Sequence, residues 1–141
     1  MLLGSIYTPN SNQEAFWTTL STVLADKTGI PWLLGGDFNC VLNIPLDRSH
    51  PSLACALIHH HVAQYKNWVS QWSLTDPWCH LHPHSKIYSF YSATHNLYVL
   101  LDRFRCTSTL LSKVKSADYL GHLISDRDAH VVCYEYRCTL D

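Results

Sequence analysis

Nowhere in the 141 residues do about 18 consecutive apolar side chains occur, the length a membrane-crossing helix needs. The start, "MLLGSIYTPNSNQE", turns polar after one short apolar stretch, so neither a secretory leader nor an anchor is expected. An excess of one charge is also missing. Ten Lys and Arg against eleven Asp and Glu leave a formal charge of -1, which supplies no global attraction to nucleic acid. Any such contact needs a local patch, and "LLDRFR" and "SKVKS" are the stretches that offer one, unless they are simply solvated surface. Glycine and proline are scarce, at five and six, beside 47% hydrophobic and 15% charged residues; that composition excludes general disorder and low-complexity chain. The six cysteines, at 40, 55, 79, 106, 133 and 138, form no CxxC pair. With no leader, they read as reduced thiols rather than a disulfide framework. What is abundant is histidine: ten residues make the net charge sensitive to mild acidification.

The length suits one domain that buries roughly two-thirds of its extended surface. No internal repeat or linker divides it. "LLGSIY" reads as a strand over residues 2 to 7, and "TPNSN" as a turn. Ser11 and Glu14 have capping-box spacing, and Phe16, Leu20 and Val23 or Leu24 recur at helical intervals. Gly29 and Pro31 end that helix and introduce a strand through "IPWLL", whose apolar run suits burial on both faces. "LNIPLDRSHPS" reads as a loop. From residue 54 to about 72, apolar positions separated by three and four predict an amphipathic helix. "KIYSFYSA", "NLYVLLDRF" and "DAHVVCYEY" then read as strands, giving an α/β or α+β layered fold.

Polar residues cluster where predicted strands end: Asp37, Asn39, Asp102, Asp126 and His130. Carboxylate and amide oxygens suit hard cations such as magnesium, especially beside a phosphate. The plain alternative is that each satisfies backbone groups of a turn. The histidines of "HHH" at 59 to 61 point apart on a helix. Those of "HLHPH" at 80 to 84 sit along one extended side, where a zinc site would still need tetrahedral geometry and outer partners.

In order, "IYTPN", "GGDFN", "LLDRF" and "LISDRDAHVV" resemble segments of the endonuclease/exonuclease/phosphatase family, specifically the C-terminal part of the endonuclease domain of LINE-type retrotransposons. The resemblance covers nearly the whole chain. It implies an incomplete four-layer α/β sandwich of two packed mixed sheets with outer helices, spanning residues 1 to 141 and lacking the family's N-terminal portion. It also implies roles: Asp37 prepares water for attack on a DNA phosphodiester, Asn39 holds the phosphate, Tyr7 lies near it, Asp102 orients a histidine, and Asp126 associates with Mg²⁺ or Mn²⁺. The implied partner is DNA and the implied location nuclear or cytoplasmic.

Three departures run against activity. Arg127 stands where the family has its catalytic histidine, and an arginine binds phosphate but cannot take and return a proton near neutral pH. His130, three residues later, should point elsewhere if the strand keeps its register. Leu100 replaces a common arginine, and Arg103 follows Asp102 where an aromatic is common. The family's N-terminal asparagine and metal-binding glutamate have no counterpart before "IYTPN", and Glu14 is no replacement. The expectation is a degenerate endonuclease-like domain without catalysis, a pseudoenzyme. The alternatives are residual magnesium-dependent DNA nicking, or a module that binds nucleic acid or protein.

Overall fold

The computed structural model describes residues 1–50, 58–120 and 129–134. A four-stranded mixed sheet organises it, in the order β1 (Leu2–Tyr7), β2 (Trp32–Asp37), β6 (Asp102–Thr107), β3 (Leu74–Thr75). β1 and β2 run parallel, which requires a crossover, and helix α1 (Gln13–Leu24) provides it. β6 is antiparallel to both β2 and β3. Helix α2 (Ile44–Asp47) follows β2, and α3 (Ile58–Gln71) and α4 (Pro77–Leu81) flank β3. β4 (Phe90–Ser92) and β5 (Leu97–Val99) form one hairpin; α5 (Ser108–Leu111) follows β6; and β7 (Val114–Leu120) pairs with β8 (Ala129–Tyr134). This is the expected α/β arrangement of sheets with helices outside, although only the main sheet is mixed and the two hairpins are antiparallel.

Helices α1 and α3 cover one face of the main sheet. Trp17, Leu24, Tyr65 and Trp68 from the helices meet Ile6, Trp32, Leu34 and Phe38 from the sheet side, all buried. The contacts are largely aromatic, with ring centroids 4.8 Å apart for Trp17 and Trp68, 5.3 Å for Trp17 and Tyr65, and 5.1 Å for Phe38 and Tyr65. Such pairs contribute about 0.5–1.5 kcal/mol each beyond their buried area.

Several local expectations are corrected. Ser11 and Glu14 make no capping box: the residue before α1 is Asn12, left-handed at φ 54°, with no side-chain cap. The helix start is braced instead by Gln13, whose Nε2 donates to the Pro9 carbonyl at 3.0 Å. Of the two candidates for the buried face, Leu24 is inside and Val23 is 61% exposed. The presumed loop after β2 contains α2, capped by Asn43, whose side chain accepts from Leu46 N. "NLYVLLDRF" is two strands, not one, because the chain leaves β5 at Val99 and changes sheets before β6. Between them Leu100 N donates to Asp47 O at 2.9 Å, and the Ser89 hydroxyl accepts from Leu101 N and Asp102 N. "HLHPH" is not extended throughout, since α4 runs to Leu81 and His82 packs on Trp78 at 5.2 Å. Residues 54–57 of the predicted second helix lie outside the described residues; α3 supplies the rest.

Among the described residues no helix is long and apolar enough to cross a membrane.

Candidate active site

Strand register decides which polar groups meet. Tyr7 is the partner of Asp37 across the parallel pair, and Asp37 is the partner of Asp102 across the antiparallel pair. The three residues therefore stand side by side in one row at the end of the sheet, on three adjacent strands. Side chains alternate between faces along a strand, so partners in register share a face. On β6 that face carries Asp102 and Phe104, while Arg103 and Arg105 turn to the other side.

The two glycines before Asp37 explain how the strands come so close. A Cβ on Gly36 would lie 1.9 Å from the Ile6 carbonyl oxygen, and its φ of 145° is a conformation side chains rarely adopt. Gly35 lies under the Phe104 ring, 2.4 Å from where its own Cβ would be. Both glycines thus serve packing. Beyond them Asp37 Oδ1 accepts from the Asn39 backbone N–H at 2.8 Å, the geometry of an Asx turn, and Asn39 takes the left-handed conformation at φ 46°. The Asn39 amide donates across to the Thr8 carbonyl, and Thr8 N donates to the Asp37 carbonyl at 2.9 Å. The bonds that close the turn also hold Asp37 and Asn39 beside Tyr7.

Exposure differs along the row. Tyr7 is 67% exposed, Asp37 is buried and Asp102 half-buried. Asp102 is anchored through its backbone, its N–H donating to Ser89 and its carbonyl accepting from the Tyr119 hydroxyl at 2.8 Å. Beside the row lies an open cavity of about 520 Å³ whose walls include Leu3, Ser5, Gly35, Asp102 and Phe104.

Asp126 and Arg127 lie outside the described residues. His130 lies in β8 with its backbone paired to Tyr119. Among the described residues no group of three or more His, Cys, Asp or Glu side chains is placed to share a metal ion. The row offers two carboxylates and a tyrosine, hard oxygen donors of the right chemistry but too few for a closed cation site.

The basic stretch "LLDRFR" does not form a surface patch. Arg103 is 1% exposed; its Nη2 meets Asp47 and its Nη1 meets Asp76 at 3.4 Å. Burial works against that charge, but the two carboxylates outweigh it and hold the guanidinium's pKa above its ordinary value. Asp47 and Asp76 each serve twice: Asp47 also accepts from Leu42 N and Asn43 N, and Asp76 caps α4 by accepting from Trp78 N and Cys79 N. Arg105 is likewise buried, with Nε donating to the Tyr65 hydroxyl at 2.7 Å. Alternation on β6 was the available signal, since it sends both arginines to the face opposite Asp102.

No family profile matches the chain. Solved structures do. The AP endonuclease LMAP from Leishmania major superposes with a TM-score of 0.79 at 17% identity, covering 93% of this chain and 49% of that one. The 3' phosphatase NExo from Neisseria, bound to a product DNA hairpin, gives 0.77 at 15% identity, covering 94% and 60%. An AP endonuclease from Archaeoglobus fulgidus gives 0.76 at 18%, covering 94% and 60%. At these identities the likeness is one of fold alone. The chain spans between about half and three-fifths of the length of these structures.

Proposed function

We propose that this chain is a degenerate relative of retrotransposon-type endonucleases, one that keeps a phosphate-facing row but does not turn over. The observation that carries the reading is the row itself: Tyr7, Asp37 and Asp102, far apart in sequence, stand in register on three strands with Asn39 bonded at their end. Four positions singled out by resemblance to one nuclease family thus occupy one place, and structures of that superfamily's fold superpose over nearly all of the chain. The loss of turnover rests on Arg127 in the place of the family's histidine. A guanidinium stays charged through the neutral range, so it attracts a phosphate without exchanging a proton with the leaving oxygen. DNA is the partner this reading implies, bound weakly because the arginines of "LLDRFR" are buried away from solvent. Mg²⁺ or Mn²⁺ belongs to the reading as an ion that Asp126 would bind.

Residual nicking is the second reading, favoured by the survival of Asp37 and Asp102 side by side. Incubation of supercoiled plasmid with the purified chain and Mg²⁺ or Mn²⁺ separates the two. No relaxation above that of an Asp37→Ala control is expected. Metal-dependent nicking present in the parent chain and absent from Asp37→Ala would replace the degenerate reading with an active nuclease.

A further inference from the structure

The two buried arginines of β6 are treated differently by the fold. Arg103 sits between two carboxylates, whereas Arg105, 5% exposed, has no carboxylate among the described residues within ion-pair distance. Its polar partner is the Tyr65 hydroxyl on Nε, with the guanidinium carbon 5.2 Å from the Tyr65 ring centroid. Burial raises the Tyr65 pKa, so that partner is a neutral phenol. Asp76 contributes at longer range, but both its oxygens are engaged, one by the α4 cap and one by Arg103. Arg105 remains charged despite its burial, which works against it. A buried cation whose contact partner is neutral is costly unless something else offsets its charge.

The side chain lines a cleft of about 450 Å³ where the end of α3 meets β3 and β6. The other polar residues of its wall are Lys66, Ser70, Ser73 and Thr75. No carboxylate lines it. None of the three hydroxyls bonds to another described side chain. The wall therefore combines a guanidinium fork, an ammonium and three hydroxyls, a donor set suited to a tetrahedral oxyanion. Two positive charges match a dianion.

We propose that this cleft binds the terminal phosphate of a small phosphomonoester. The depth of Arg105 favours a terminal phosphate over a duplex backbone, because a phosphodiester flanked by two sugars is too bulky to bring its oxygens to an arginine that is only 5% exposed. The cleft lies on the helix-covered face, opposite the Tyr7–Asp37–Asp102 row, so it stands or falls apart from the nuclease reading.

Inorganic phosphate, methyl phosphate and dimethyl phosphate, titrated calorimetrically at constant ionic strength, test the proposal. Saturable binding of the first two and none of the third is expected, weakened at least about fivefold in Lys66→Glu, which turns one exposed positive charge negative. Ser70→Asp, which puts a carboxylate in the wall, serves as the second variant should Lys66→Glu not fold. Methyl phosphate binding without inorganic phosphate would still fix the class as a monoester; the reverse would reduce the site to one for free phosphate and overturn the organic ligand. Dimethyl phosphate binding as tightly would point to a nucleic-acid backbone and overturn the monoester. Heats that do not saturate, or that both variants leave unchanged, would mean that no site exists.

Discussion

Arg103 shows how a residue's meaning depends on where its strand turns it. In the sequence it breaks the pattern around Asp102 and reads as a weakened nuclease or a surface cation; in the fold it is 1% exposed and joins Asp47 to Asp76. Removing one member of a buried charged group leaves the others uncompensated, at about 3–5 kcal/mol. Arg103→Met should therefore lower stability by that much in urea unfolding. Adding Asp47→Asn and Asp76→Asn should recover most of the loss, because the amides keep oxygen acceptors for Leu42 N, Asn43 N, Trp78 N and Cys79 N while removing the orphaned charges. Equal losses in the single and triple variants would show that the charges are not what makes Arg103 matter. The strand end and turn that carry Asp37 and Asn39 were legible from sequence because their signal is local, a short polar segment after an apolar run. The partners of Arg103 lie 56 and 27 residues away, and no local pattern announces them.

Elements carried by a clean period were legible, and those with a disturbed period were not. β1, α1, β2 and α3 follow from apolar spacing and from the stops at Gly29 and Pro31. β7, by contrast, contains "VKSADYL", where the pairing shifts between Val114 and Ser116; this irregularity breaks the alternation that would mark a strand, and "SKVKS" reads as charged surface instead. β3 has two residues and α4 five, too short for any period to show. The parallel pairing of β1 with β2 makes its own prediction. Gly36→Ala would drive a Cβ into the Ile6 carbonyl, backbone that cannot rotate aside, so loss of more than about 4 kcal/mol or failure to fold is expected. Gly35→Ala meets only the Phe104 ring, which can shift, and should cost about 1–3 kcal/mol. Denaturant midpoints test the order, and a Gly35 variant less stable than the Gly36 variant would mean that β1 does not approach β2 as described.

Across the molecule, the buried charges among the described residues cancel: Arg48, Arg103 and Arg105 are inside with Asp37, Asp47 and Asp76. The asymmetry lies in buried neutral acids instead. Burial pushes the thiols of Cys40, Cys79 and Cys106 from 9.0 up to about 11, and raises the phenols of Tyr65 and Tyr119. In each the folded state holds its proton to higher pH than the unfolded chain does. Above pH 9 the unfolded chain loses protons that the folded one keeps, so stability falls as pH rises. The contribution is complete below pH 9 and is progressively lost up to about 11 for the thiols, each accounting for at most about 3 kcal/mol. The melting temperature should therefore be flat from about pH 7 to 8.5 and decline between 9 and 11. Cys106→Ala, which removes the titrating group and only one side-chain heavy atom, should flatten that decline. An alkaline slope identical in the variant would exclude Cys106 from the buried set and, with it, the close covering of β6 from which the arrangement of the arginines follows.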